Sequence, residues 1–398
     1  MHHGMLTVYK EKGYTSSDAV ARLRGILRMR KIGHTGTLDP DAEGVLPMCL
    51  GNATRICELI ADREKEYLAV MRLGVRTDTQ DMSGQILSQI PDQKLLEILG
   101  AEEQVLESKE QGSAGSGIPA GQDPAEILSA GRSDTDPETD RMILEKILDA
   151  AASFTGEIEQ IPPMYSAIKV NGKRLYDMAR KGISVERKPR RITIYSLTVE
   201  KVELPLVTMR VRCSKGTYIR TLCEDLGSAL RTGAAMQSLL RTRVGNFTLE
   251  EALTLDRLEE IAKSDPVLLS GLIRPVDSFF ENLPAAVCRD DALRLLKNGN
   301  VLTQRELRFL KPEEDPLRSC KSPKGEGTEC AEDGISADSD KCDDKGGNEG
   351  ASLPGIEPGQ QVIRMYDAAG SFYGLYRSSP GQRGRTRFSA YKMFLPES

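Results

Sequence analysis

The 398-residue chain is long enough for two domains, and its 39% apolar content with 36 glycines and 20 prolines implies stretches that carry little core. No run approaches the roughly 18 apolar residues of a membrane span, and no apolar leader precedes Lys10, Glu11 and Lys12, so a cytoplasmic protein is expected. The 8 cysteines form no CxxC pair, which points to reduced thiols, and with His2 and His3 at the start, His34 is the only internal imidazole.

The formal charge of −5 is unevenly spread. Residues 93–140 carry 3 basic and 11 acidic side chains, and residues 311–360 carry 6 and 13, so these two segments hold −8 and −7. The other 300 residues carry +10, the sign a polyanionic partner needs.

In chain order, Thr15, Ser16 and Ser17 offer N-caps to a helix in which Val20, Leu23 and Leu27 recur at helical spacing. Arg22, Arg24, Arg28 and Arg30 give that helix a basic flank, which is also how a merely solvated face reads. The segment KIGHTGTLDPDAEGVLPMCLGNATR, residues 31–55, alternates glycines with threonines and prolines and must form a tightly shaped loop. Within it Asp39 precedes Pro40, which pushes its backbone away from the α region and holds a short carboxylate rigidly. The same Asp-Pro pair also fits an N-cap with proline at the first helical position. Lys65–Leu73 is apolar on both parities and predicts a strand covered on both faces, with Tyr67 near its start reading as a core aromatic.

The acidic segment 93–140, typified by GSAGSGIPAGQDPAE, has too few large apolar residues to offset chain entropy and is expected to be a disordered surface insertion. Pro162 and Pro163 then fix an extended approach to Tyr165, which is followed by Lys169, Lys173, Arg174, Arg180 and Lys181. Aromatic and basic residues so interleaved suit RNA stacking and backbone contacts, although a solvated surface shows the same composition. Val207–Cys213 alternates with period two, and in CSKGTYIRTLCEDLG, residues 213–227, helical spacing begins near Thr217. Arg220 falls in the first turn, where a cation opposes the helix dipole. It is either a surface arginine in a weak spot or a residue whose task lies elsewhere.

A second acidic segment, about residues 311–358, repeats the coreless texture of the first. After it, GQQVIRMYDAAGSFYGLYR reads as two strands joined by a turn at Asp367 to Gly370. With Arg377, Arg383, Arg385, Arg387 and Lys392 nearby, it predicts a small basic β-domain.

Four stretches, GHTGTLDPDAEGVLPMCLG, KEYLAVMRLGVRTDTQD, PPMYSAIKVNGKRLYDMARKG and CSKGTYIRTLCEDLG, resemble in this order the motifs of the TruB family of bacterial tRNA pseudouridine-55 synthases. The resemblance covers about residues 6–310 apart from the first insertion. It implies an α+β protein: a pseudouridine synthase fold with a mixed central sheet and flanking helices in residues 1–284, then a small C-terminal PUA-like β-domain in residues 285–398. It further implies isomerisation of a uridine, position 55 in the T-arm loop, to pseudouridine in tRNA, with base flipping and with neither cofactor nor metal.

Residue by residue, Asp39 matches the family's nucleophile, Arg220 the arginine that pairs with it, and Tyr67 the tyrosine that stacks on the target base. His34, Tyr218 and Leu239 match positions that receive or wedge the flipped nucleotide. The implied partner is tRNA, with no membrane, no obligatory protein partner and a monomeric enzyme. A related synthase acting on ribosomal RNA with protein and guide-RNA partners, and a tRNA-folding chaperone using the same cleft, are the alternatives. Two features depart from the pattern: Glu11 follows Lys10 where the family usually has proline, and the acidic insertions are larger.

Overall fold

Period-two alternation builds the centre of the fold. The structure, a computed structural model, describes residues 2–101, 127, 137–166, 168–170, 172–183, 185–319, 353, 355–381 and 385–395. They divide into two units, one made of Leu6–Cys49 and Ile56–Ser270, the other of Met1–Met5, Leu50–Arg55 and Gly271–Ser398.

The strands of the first part of the chain are β1 (Gly4–Lys10), β2 (Ile32–His34), β3 (Glu43–Leu50), β4 (Lys65–Leu73), β5 (Val75–Thr77), β6 (Ile86–Gln89), β7 (Gly156–Gln160), β8 (Lys169–Val170), β9 (Lys173–Arg174), β10 (Arg190–Glu203), β11 (Leu206–Cys213), β12 (Ala234–Val244) and β13 (Phe247–Thr248). Nine of them form one sheet in the order β1-β3-β12-β4-β11-β10-β7, with β2 on β3 and β13 on β12. The sheet is mixed: β12 runs parallel to β3 and antiparallel to β4, and β4, β11 and β10 continue antiparallel. This is the expected architecture, with β4 at its middle.

Coverage of β4 differs from the sequence reading. Lys65, Tyr67, Ala69, Met71 and Leu73 are buried, whereas the residues between them are half-buried. Long charged side chains cover that second face, where Glu66 meets Arg210 at 3.2 Å and Arg243 at 3.5 Å. Their stems shield the apolar residues without forming a second dry core.

The first helix, Ser16–Leu27, starts where expected, in a capping box: the Thr15 hydroxyl accepts from the Asp18 N–H, and Asp18 accepts from the Thr15 N–H. Val20, Leu23 and Leu27 are its buried stripe. β1 is regular up to Lys10, so Glu11 leaves that strand undisturbed.

Both ends of the expected 93–140 insertion are helical core. Asp92–Gly100 and Pro137–Ser153 are helices packed on one another, and Leu95, Leu99, Ile143, Leu144 and Ile147 are buried in the main core. Apolar residues at helical spacing flank the polar stretch, and averaging composition over the whole segment hid them. Ile127 is buried in the same core. Residues 102–126 and 128–136 lie outside the described residues.

The second unit holds β14 (Ala285–Cys288), β15 (Leu302–Thr303), β16 (Leu307–Phe309), β17 (Val362–Tyr366), β18 (Phe372–Pro380) and β19 (Thr386–Met393), in the sheet order β15-β19-β18-β17-β14-β16. The expected hairpin is β17–β18, closed by an Asp367 N–H bond to Ser371 O and a Gly370 N–H bond to Asp367 O, both 3.1 Å. The unit begins before the expected residue 285, at Gly271, and takes in the N-terminal residues. Met5 exchanges backbone hydrogen bonds with Arg274, and Gly4, at φ +151°, lies so close that a Cβ would stand 2.3 Å from Arg274 O.

The start of the expected second insertion also holds a core residue. Asp315, inside the supposed 311–358 insertion, is buried and holds the buried Arg364 of β17 through both carboxylate oxygens, one at 3.0 Å. Tyr366 bridges the same guanidinium to Asp277, at 3.0 and 2.9 Å. One acidic residue in a polar run was thus a core partner, which composition does not reveal. Residues 320–352 and 354 lie outside the described residues.

Each of Leu95→Ala and Leu99→Ala is expected to cost about 2–5 kcal/mol in urea denaturation, and Asp315→Ala, which leaves Arg364 buried and short of a counter-charge, about 3–5 kcal/mol. Unchanged midpoints would return those residues to the coreless class.

Candidate active site

The loop between β2 and β3 carries Asp39, and its shape is set on both sides of that residue. Ser16 Oγ accepts the Leu38 N–H at 2.9 Å, so the first helix's N-terminal turn grips the residue before Asp39. The Pro40 carbonyl accepts from Gly13 N–H at 2.9 Å and from Lys10 Nζ at 3.2 Å. Lys10 is fully buried, and its ammonium also donates to Tyr14 O at 2.6 Å and Glu11 O at 3.1 Å. Burial pulls its pKa down to about 8 against the pull of Glu43 and Asp39. No helix follows Asp39; its carbonyl accepts the Ala42 N–H in a turn, which removes the N-cap reading.

Asp39 faces Arg220. The guanidinium Nε lies 3.0 Å from Asp39 Oδ2, and Nη1 lies 3.5 Å from Asp81 Oδ2. Two backbone carbonyls complete the fork, Thr79 O on Nη1 at 3.1 Å and Tyr165 O on Nη2 at 2.8 Å. The Arg220 side chain is 6% exposed and the Asp39 side chain 41%, so the arginine is enclosed while the carboxylate opens to solvent.

Arg220 lies in the first turn of the helix Ile219–Ala229, whose N-cap, Tyr218, makes no side-chain cap bond. The Tyr218 N–H is met by Gln160 Oε1 at 2.8 Å. The position that looked unfavourable for a cation is therefore satisfied by tertiary partners.

The net effect on Asp39 reverses the direction expected from pairing alone. Burial raises its pKa, Arg220 opposes that rise, and Asp81 adds to it. The carboxylate is held by a cation yet remains easier to protonate than a free aspartate.

Tyr67 is buried on β4, directly opposite Arg241 of β12, to which its hydroxyl is hydrogen bonded. Burial raises its pKa; Arg241 works against that rise. Arg241, 1% exposed, also donates to Val45 O at 2.7 Å and to Gly36 O at 3.4 Å, so it braces both ends of the Asp39 loop. Gly44, at φ +104°, makes this possible: a Cβ there would stand 2.3 Å from Arg241 O.

The remaining sequence-predicted residues are placed less uniformly. Tyr218 is half-buried in the field of Arg220 and Asp39, and burial raises its pKa. Leu239 packs in the core cluster with Leu38 and Tyr67. His34 is half-buried at the end of β2, its Nδ1 accepting the Gly36 N–H at 3.3 Å, and burial lowers its pKa. Asp39, Arg220, Tyr67 and Tyr218 thus share one electrostatic neighbourhood, with His34 tied to the loop beside it.

Sequence reasoning missed Lys10, Asp81 and Arg241. Arg241 alone left a signal, since it stands two residues after Leu239 on the buried parity of a strand. Among the described residues no group of three or more His, Cys, Asp or Glu side chains is arranged to hold a metal, and no helix is long and apolar enough to cross a membrane.

The mixed sheet with its β-rich C-terminal unit is the pseudouridine synthase fold. It is similar to the structure of an H/ACA RNP bound to a substrate RNA containing 2'-deoxyuridine, with TM-score 0.55, 21% identity, and 99% of this chain and 86% of that chain covered. A Cbf5-Nop10-Gar1 complex matches at TM-score 0.55 and 23% identity, covering 99% and 85%.

The family described as TruB family pseudouridylate synthase (N terminal domain) matches residues 24–109 and 125–219, and the tRNA pseudouridylate synthase B C-terminal domain matches residues 220–281. A tRNA pseudouridine synthase B of Lachnoclostridium phytofermentans is 44% identical over 76% of this chain and 85% of its own length. One of Clostridium kluyveri is 39% identical over 74% and 84%. The chain belongs to the TruB family of pseudouridylate synthases.

The raised pKa of Asp39 fixes the sign of a stability effect. Above the ordinary carboxylate range the ionised, partly buried group costs the fold stability, and the cost lifts as pH falls through the raised folded value. Asp39→Asn should therefore raise Tm at neutral pH, with the gain shrinking to nothing on acidification from about pH 8 to about pH 4, as read by circular dichroism. A variant less stable than the parent at neutral pH would mean that Arg220 outweighs burial.

Proposed function

We propose that this protein isomerises a uridine to pseudouridine within tRNA, with Asp39 as the group that acts on the sugar. The reading rests on one observation: a half-open carboxylate, anchored at the backbone on both sides, is held by a guanidinium that is itself enclosed. Family membership and relatives named tRNA pseudouridine synthase B support the same reaction.

The chemistry asks little beyond such a group. The N1–C1′ bond breaks, the base turns, C5 joins C1′, the C5 proton leaves, and N1 gains a proton. Nothing is oxidised, and the base never leaves the site. Asp39 acts at the sugar to start bond breaking. Arg220 fixes its direction, and the one guanidinium charge is divided between Asp39 and Asp81. Tyr67, immobilised by Arg241, is the ring on which the turning base rests.

A uridine inside a folded loop must be extruded, at about a few kcal/mol of unstacking. Tyr218, in the field of the carboxylate, and His34, tied to the loop that carries it, receive the flipped nucleotide, with Leu239 in the core beneath that loop's Leu38. The substrate element is the T-arm stem-loop with its uridine 55, bound through its backbone shape by a cytoplasmic monomer without an obligatory protein partner.

The test uses tRNA transcript tritiated at uracil C5 with no cofactor added. Wild type should release tritium, and Asp39→Asn should fall to background while binding persists or tightens, because phosphate contacts supply most of the affinity. Release by Asp39→Asn at an appreciable fraction of the parent rate would remove Asp39 from its role. Arg220→Lys keeps the charge but loses the planar fork that meets Asp39, Asp81 and two carbonyls, so its rate should drop by about a hundredfold or more with little change in affinity. A rate near that of the parent would reduce Arg220 to a structural cation.

A further inference from the structure

The turn Thr79–Asp81 supplies two of the four groups that hold Arg220, and the residue between them is Gln80. Gln80 adopts φ +65°, a left-handed backbone that a residue with a side chain seldom takes without compensation. The compensation is visible. Its Oε1 accepts the Thr221 hydroxyl at 2.8 Å, and its Nε2 donates to Glu224 Oε2.

Glu224 is fixed in turn by Arg76, 3.2 Å away on the strand that leads into the turn. The Gln80 carbonyl accepts the Met236 N–H at 2.9 Å, tying the turn to β12 as well. Arg220, Thr221 and Glu224 belong to consecutive turns of one helix. That helix therefore grips the turn through Gln80 while the turn grips Arg220 through Thr79 and Asp81.

We propose that Gln80 is a positioning residue for Arg220: its carboxamide clamps the Thr79–Asp81 turn to the helix that carries the arginine. The assignment rests on the reading of Asp39 and Arg220 given above. The amide is the side chain that fits, since it presents an acceptor to a hydroxyl and a donor to a carboxylate at once. A carboxylate at the same position would meet Glu224 as a like charge, and a thioether would offer neither bond. Without the clamp the left-handed turn relaxes, Asp81 and Thr79 O move off the guanidinium, and Arg220 loses its aim at Asp39. Tenths of an ångström matter here, because a misplacement of about 1 Å in a reacting group can cost about a hundredfold in rate.

The experiment compares single-turnover tritium release and tRNA affinity for Gln80→Glu, Gln80→Met, Glu224→Gln and the double variant Gln80→Glu with Glu224→Gln, with circular dichroism melts on each. The expected result is a rate loss of about tenfold to a hundredfold for Gln80→Glu and Gln80→Met with unchanged affinity. In the double variant the new carboxylate accepts from the new amide, and the rate should recover to that of Glu224→Gln alone. A residue needed only for folding would not show that rescue. Parent rates in both Gln80 variants would overturn the proposal, and so would a double variant as slow as Gln80→Glu. A wild-type protein that leaves the uridine untouched is a separate result: it rejects the reaction itself before any variant is compared.

Discussion

The structure of the site depends on a single enclosed guanidinium. Arg220 is 6% exposed and meets two carboxylates and two backbone carbonyls drawn from three separate stretches of chain. A guanidinium has five N–H donors in a fixed plane, so it can be satisfied only when those stretches stand in one relative arrangement. Leaving such a cation buried without partners would cost several kcal/mol. The demand for partners thus acts as a geometric specification: the Asp39 loop, the Thr79–Asp81 turn and the Tyr165 segment must all arrive before the arginine is content.

The same principle recurs at Arg241 and, in the second unit, at Arg364. Arg241 is buried, forms no ion pair with a carboxylate among the described residues, and is matched by two loop carbonyls and a phenol, which suits a brace that must not compete with Arg220 for Asp39. Arg364 has a carboxylate, Asp315, and a tyrosine that passes the contact on to Asp277. Fully or nearly buried arginines are uncommon, and here each sits where chain segments distant in sequence must be held in register. Packing alone tolerates small shifts of apolar side chains; a planar hydrogen-bonding fork does not.

Energetically the site is a compromise. Burial works against the charge on Asp39, and Arg220 offsets it only in part. A carboxylate in this state is directed and partly desolvated, two conditions that make it more reactive than one at the surface. The fold tolerates the penalty because the backbone of the loop is secured independently, by Ser16, Lys10 and Gly13, and does not rely on the side chain for its shape.

What the sequence determined by itself were the features carried by local periodicity and by motif. The alternation in Val207–Cys213, the capping residues before Ser16–Leu27 and the Asp367–Gly370 turn all appear where the pattern put them. Resemblance of four ordered motifs named Asp39, Tyr67 and Arg220 as one group, and the structure brings them into one neighbourhood, although spacing alone favoured reading Asp39 as a helix cap. Only the tertiary structure decided what depends on long-range partners. Asp81 and Lys10 look like ordinary charged residues until Arg220 and Pro40 are placed beside them, and Asp315 looks like part of a polar run until Arg364 finds it. Leu95 and Leu99 disappeared into an average over an acidic segment, because composition has no memory of which side of a helix a residue occupies. A buried polar residue is defined by what it meets, and that partner lies tens or hundreds of residues away along the chain.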